Sequence, residues 1–359
     1  MGISTGTSML TSIAGAFSPL GFFRRMAGSG AVYFVLLLVA MVVSITTGRY
    51  SVSAEQLFTL IWRRIARLPL HDAETINTVI FHVRLPRIMG AAMIGSALSL
   101  SGVIYQSIFR NPMVSPGILG VSSGAGFGAA LGILLSMNLA GVQLLAFVFG
   151  SIAVAITCLF GRVLKGDGDS IIMLILVGMV VSTVFASFIS LTKFVADPDD
   201  KLPAITFWLM GSLAAVNMND VQSIAVPILA GSIPLFLVRW KLNILSFSDD
   251  EAKSLGVNVG PLRLMIIICS TIITAAAISI SGIIGWVGLI IPHICRMITG
   301  PDHRTLIPFS MMTGAIYLMM VDNIARSVAT VEIPLGIITA LIGAPFFLYL
   351  MFCKQRRCR

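Results

Sequence analysis

PMVSPGILGVSSGAGFGAALGILLSMNLAGVQLLAFVFGSIAVAITCLF, residues 112–160, contains no Asp, Glu, Lys or Arg. An ordinary soluble domain is about 25% charged, so a stretch of this length without charge points away from water as its solvent. It has room for two helices of roughly 20 apolar residues, the length that crosses a bilayer core. A transmembrane β-barrel would instead alternate polar and apolar residues in short segments. The remainder agrees: of 359 residues 57% are apolar and 11% charged, with a mean hydropathy of +0.98. The chain therefore reads as an all-α, polytopic membrane protein.

Working outward from this stretch, ten candidate spans emerge at about 31–48, 88–108, 117–136, 142–161, 170–191, 220–238, 262–282, 284–297, 306–325 and 335–352. The eighth is short, and Pro292 is expected to kink or break it. Ahead of the first span, residues 1–30 read as a cytoplasmic N-terminal segment, with 31–359 as one membrane domain. Arg24 and Arg25 precede that span without a small-residue cleavage site, so it reads as an uncleaved span.

The formal charge of +9 could serve nucleic acid, but in such a chain excess Lys and Arg anchor cytoplasmic loops. No nucleic-acid partner is expected. With both termini inside, fifteen basic residues lie on the cytoplasmic side and nine outside. One loop resists this bias: Arg49, Arg63, Arg64, Arg67, Arg84 and Arg87 fall outside, between the first two spans. That exception suggests a surface kept basic for a partner.

Small residues recur every four positions, as Gly124, Gly128 and Gly132 in the third span and as Ala91, Gly95 and Ser99 in the second. In lipid such faces let helix backbones approach. The run Gly124-Ala125-Gly126-Phe127-Gly128 misses dinucleotide spacing and is read as packing. No GxxxxGK[ST] phosphate loop and no HExxH occurs. The cysteines (158, 269, 295, 353, 358) form no CxxC and read as small hydrophobes, so neither a disulfide framework nor a metal site is expected.

Ionisable residues are missing from the middle of nearly every span, where ion-coupled carriers place them. Asp322 comes nearest, and Arg326 four residues on makes a helical ion pair with it an equal explanation. A carrier lacking both intramembrane charge and a nucleotide site is passive or driven by another subunit. Between spans six and seven, Ser248-Asp249-Asp250-Glu251-Ala252-Lys253-Ser254-Leu255-Gly256 reads as a short extramembrane helix. Ser248 would cap it, acids suit its first turn, and Gly256 would end it. In Arg84-Leu85-Pro86-Arg87, proline marks a helix start. Its arginines either snorkel or, with Arg326, form an outward set that recognises carboxylates.

The stretch RLPRIMGAAMIGSALSLSGVIYQSIFRNPMVSPGILGVSSGAG (84–126) resembles the signature region of the FecCD/BtuC-type permeases, which import ferric siderophores, haem and cobalamin. The likeness continues through FWLMGSL (207–213), SDDEAKSLGV (248–257), GIIGWVGLIIPHICRMITGPDHRTLIP (282–308) and VDNIARSVATVEIPLGIITALIGAPFFLYL (321–350).

The resemblance implies a BtuC-like permease subunit of an ABC importer, with about ten transmembrane helices, in the bacterial inner membrane. It implies a homodimer with the path at its interface, lined by 170–191 and 202–215. Two copies of an ATP-binding cassette subunit and a periplasmic or lipid-anchored binding protein would join it. ATP and Mg would be held by the partner ATPase, and no cofactor by this chain, which is then not itself an enzyme. Arg84, Arg87 and Arg326 match arginines that meet acids of the binding protein. Residues 248–256 match the helix that seats in the ATPase, and Asp169 and Ser170 lie near the cytoplasmic gate.

Ferric siderophore is the first cargo expected, with haem, cobalamin and molybdate as alternatives. A secondary transporter would need charged or unwound midplane sites. A membrane enzyme would have only the His293/Arg296 and Asp302/His303/Arg304 region.

Overall fold

The computed structural model describes residues 30–48, 50, 52–66, 74–164, 170–247 and 249–357. Residues 1–29, and Asp169 and Ser248 of the expected sites, lie outside these. Among the described residues every regular element is helical. In chain order these are α1 (Gly30–Thr46), α2 (Ala54–Ile65), α3 (Glu74–Ile108), α4 (Val121–Leu134), α5 (Leu139–Val163), α6 (Ser170–Val195) and α7 (Lys201–Met210). Then follow α8 (Met218–Leu237), α9 (Arg239–Leu245), α10 (Asp249–Ser254), α11 (Val259–Ser281), α12 (Val287–Thr299), α13 (His303–Ser327) and α14 (Leu335–Arg357).

Seven of these are long and apolar enough to cross a membrane, and three shorter apolar helices, Ala31–Thr46, Val121–Leu134 and Val287–Thr299, accompany them. The ten coincide with the ten expected spans. Two boundary expectations change. Pro292 lies within an unbroken α12. Pro86 does not start a helix, because α3 extends back to Glu74 through a π-helical turn, Val79–Arg84. A proline cannot donate to the carbonyl four residues back. The wider turn, in which the Leu85 amide bonds the Ile80 carbonyl, passes the chain into the proline without ending the helix.

Helix α3 is the centre of the molecule. Of its most apolar window 78% is buried, against 72% for α11 and 22% for α14. The small-residue faces explain how the neighbours come so close. A Cβ on Gly95 would stand 2.2 Å from the Gly314 carbonyl oxygen of α13, and one on Gly314 would stand 2.4 Å from the Gly95 oxygen. Ser99 Oγ, on the same face, donates to the Ser310 carbonyl at 2.8 Å. On α4, a Cβ at Gly128 would stand 2.2 Å from the Leu145 oxygen of α5. Both faces thus serve direct backbone contact, where dispersion and short polar contacts hold helices together without a hydrophobic drive.

The α-helical bundle is interrupted by a 3-10 turn at Pro116–Leu119, closed by Gly120 at φ 94°, and by irregular backbone at Gly282–Trp286, where Trp286 adopts φ 70°. Non-helical backbone at membrane depth is tolerated only inside protein or along a cavity. Both segments border one cavity of about 350 Å³, lined also by Ser115, Ser122, Thr274 and Leu289.

Candidate functional site

The three arginines of the expected docking set come together at the end of α3 that carries the π-helical turn. All three are buried, with exposures of 3%, 5% and 6% for Arg84, Arg87 and Arg326. Helix α1 ends at Thr46, leaving its last carbonyls without helical partners. Arg84 reaches them, donating to Ile45 O, to Thr46 O at 3.3 Å and to Tyr50 O. Arg326 donates to Ser44 O and to Asn323 Oδ1, and Asn323 Nδ2 donates to Ser44 Oγ at 2.9 Å.

The acids of the cluster are Asp322 and Glu332. Arg87 Nε donates to both Asp322 oxygens at 2.8 and 3.0 Å. Its two terminal nitrogens hold Glu332 at 2.9 Å each. Arg326 Nε lies 3.6 Å from Asp322 Oδ2, so the helical ion pair weighed from the sequence is present as the weaker of two contacts. Asp322 is 1% exposed, whereas the Glu332 side chain is 27% exposed. In this conformation the guanidinium groups do not face outward as a free set. They are engaged by their own chain, and Glu332 is the accessible rim of the cluster.

At the opposite end of α3 lies the expected extramembrane helix. Helix α10 spans six residues and ends as the sequence indicates. The Gly256 amide bonds Lys253 O and the Val257 amide bonds Ala252 O, with Gly256 at φ +78°, a pairing that closes a helix C-terminus on a left-handed glycine. Ala252 is fully buried beneath it, while Phe247 and Leu255 are exposed.

Asp249 is the tie. Arg110, just past α3, and Arg263 of α11 each donate to Asp249 Oδ1 at 2.8 Å. Arg110 also bonds Leu245 O of α9 at 3.2 Å. Burial raises the Asp249 carboxyl, but the hydrogen bonds and charges of Arg263 and Arg110 outweigh it and hold the group below the usual carboxylate range. Asp250 and Glu251 remain exposed. Ser170 opens α6.

In the region that suggested catalysis, Asp302 and His303 have a structural account. Asp302 caps α13 by accepting from the Arg304 amide at 3.0 Å, and Asn243 Nδ2 donates to it at 2.7 Å. The amide bond, then the Asn243 bond, hold Asp302 below the ordinary carboxylate range. His303 bonds Asn243 through Nδ1 at 2.6 Å and Ser107 through Nε2, joining α13, α9 and α3.

Three elements escaped the sequence reading: α2, α7 and α9. For α2 the signal existed, since Ser53 and Gln56 form a reciprocal capping box. The acids of the arginine cluster were also traceable, because buried arginines require partners and Asp322 and Glu332 stand near the ends of their spans.

The model of the FecCD transport family matches residues 36–353. The molybdate import system permease protein MolB of Haemophilus influenzae is 44% identical over 322 residues, covering 90% of this chain and 94% of that protein. An iron chelatin transport system permease protein of Helicobacter pylori is 40% identical, covering 79% and 86%. The hemin transport system permease protein HmuU of Yersinia pestis is 34% identical, covering 90% and 95%. Among solved structures, an inward-facing metal-chelate type ABC transporter superposes with a TM-score of 0.80 at 43% identity, covering 89% of this chain and 97% of that one. With ten apolar helices in the expected places and its family motifs in order, the chain belongs to the FecCD transport family, the membrane permeases of ABC importers.

Proposed function

We propose that the chain imports a metal complex as the permease half of a homodimer, driven by two copies of a separate ATPase. It is fed from outside by a periplasmic or lipid-anchored binding protein. The observation that carries this reading is the Asp249 tie. A six-residue helix outside the bundle is bonded to both Arg110 and Arg263, and so to α3 and α11, the two most buried spans. A push on that helix reaches the core directly. The chain then sits in the bacterial inner membrane with both termini and α10 facing the cytoplasm. Nucleotide binding by the partner shifts α10 and biases the permease between outward- and inward-open states.

Outside, a carboxylate of the binding protein would exchange with Glu332 on Arg87, while Arg84 and Arg326 keep the cluster's frame. Helix α6 and the segment 202–215 would line the path at the dimer interface, with the gate near Asp169 and Ser170. Ferric siderophore is the first cargo of this reading. Molybdate is the second; a relative named for it is 44% identical and the iron chelatin relative 40%, a difference too small to choose between the two cargoes.

The test is reconstitution with the partner ATPase and binding protein in liposomes. Hydrolysis stimulated by a ferric-siderophore-loaded binding protein supports the first cargo, and stimulation by molybdate alone supports the second. Transport by the chain without an ATPase would overturn the proposal.

A further inference from the structure

A cavity of about 410 Å³ opens where α5, α6 and α11 converge at the α10 end of the bundle, lined by Cys158, Gly161, Arg162, Leu174, Arg263 and Ile267 among others. This volume falls in the roughly 300–1,000 Å³ range of small-molecule sites. Its walls are apolar apart from one thiol and the two arginines. Water alone fills such a space poorly, because an ordered water needs two to four polar partners. Apolar walls with cations at one end describe a site for an amphiphile.

The charge balance indicates which amphiphile. Arg162 stands in the last turn of α5, exposed, and makes no hydrogen bond or ion pair with another described residue. Arg263 has a side chain only 12% exposed and shares Asp249 with Arg110. Arg162 therefore adds a cation beside the Arg110–Asp249–Arg263 set.

The backbone adds to the same sign. Asn258, at the N-cap of α11, makes no side-chain bond to the first-turn amides, so that helix end keeps its positive partial charge. The approach to it is open, since a Cβ on Gly260 would meet nothing within 4 Å. Helix ends of this kind sit at headgroup level, where basic pockets between spans take anionic headgroups.

We propose that this cavity binds an anionic phospholipid. Its phosphate lies between Arg162 and Arg263 at the start of α11, and an acyl chain runs against Leu174, Leu264 and Ile267. The phosphate shares Arg263 with Asp249, so the lipid also sets how firmly α10 is tied to α11.

The experiment is native mass spectrometry of the full chain exchanged into mixed micelles holding phosphatidylglycerol and phosphatidylcholine of matched acyl chains. Wild type should retain phosphatidylglycerol in preference. Arg162→Gln should reduce that preference about fivefold, the effect of one arginine beside an anionic lipid, and Arg162→Lys should keep most of it. Leu264→Trp, which fills the apolar part, should lower phosphatidylglycerol retention with all arginines in place.

Equal retention of the two lipids, or an Arg162→Gln variant with unchanged preference, would overturn the proposal. Release of phosphatidylglycerol by millimolar inorganic phosphate would also overturn it, in favour of a soluble anion. Because retention is read on the chain alone, its failure leaves the importer reading intact.

Discussion

The two ends of α3 use the same chemistry in opposite settings. At one end Arg84, Arg87 and Arg326 are sealed with Asp322 at 1–6% exposure. At the other, Arg110 and Arg263 hold Asp249, whose side chain is 39% exposed. Removing one partner from a buried pair leaves a stranded charge and costs roughly 3–5 kcal/mol. An exposed pair is worth about 0–1 kcal/mol, because solvent screens it. The first end is thus built as a clamp and the second as a joint.

The largest effect should come from Asp322→Ala, which removes the buried carboxylate shared by Arg87 and Arg326 and leaves Glu332 as the one acid of the cluster. The loss should be roughly 3–5 kcal/mol, read as a sharply lowered melting temperature in detergent. Combining Asp322→Leu with Arg87→Met should recover part of it, since an apolar pair replaces a buried ion pair at little net cost while Glu332 and Arg326 each lose a partner. If the double variant is no better than the single, the clamp owes its stability to contacts beyond this pair.

Next in size is Gly95→Val, which forces α3 from the Gly314 carbonyl and should cost about 1–3 kcal/mol by overpacking. Its melting should fall while Arg87 keeps its acids, separating the helix contact from the clamp.

At the joint, Asp249→Asn should lower stability by less than about 1 kcal/mol yet uncouple ATP hydrolysis from transport. A full loss of melting stability would show that the joint is a second clamp.

The smallest effect is a pH dependence. The folded carboxyl of Asp249 lies below its unfolded value of about 3.9. The tie therefore contributes fully above about pH 4, and its contribution disappears as pH falls through the folded value. The difference in melting temperature between wild type and Asp249→Asn should persist at neutral pH and close on acidification. A difference that widens in acid would contradict the assigned pairing.

What the sequence disclosed follows from the range of the forces involved. The ten spans were legible because each is a local run of apolar residues, and Gly256 closed α10 because a left-handed turn is a local demand. The glycine faces of α3 and α4 were legible as packing surfaces, though not their partners α13 and α5. Helix α2 was missed because hydropathy does not register a helix that is half polar. The fate of the arginines was hidden for a different reason: Arg87 and Asp322 are 235 residues apart. Basic residues near a span end look alike whether they face solvent or a carboxylate brought in by the fold. Pro86 misled because a π-helical turn absorbs the missing donor.

The backbone contact between Gly95 and Gly314 has a mechanical consequence. Two helices whose carbonyls rest against bare α-carbons sit at backbone contact, with no side chain between them to yield when one moves. Helix α3 carries Arg87 just after its π-helical turn and Arg110 lies just beyond its C-terminal end, about 35 Å away at 1.5 Å per residue. Displacement at Arg110 would then act on a helix whose backbone bears directly on its neighbour between Arg110 and Arg87. If partners bind at both ends, linkage makes the coupling reciprocal: the factor by which binding at Asp249 changed affinity at Arg87 would be the factor by which binding at Arg87 changed affinity at Asp249.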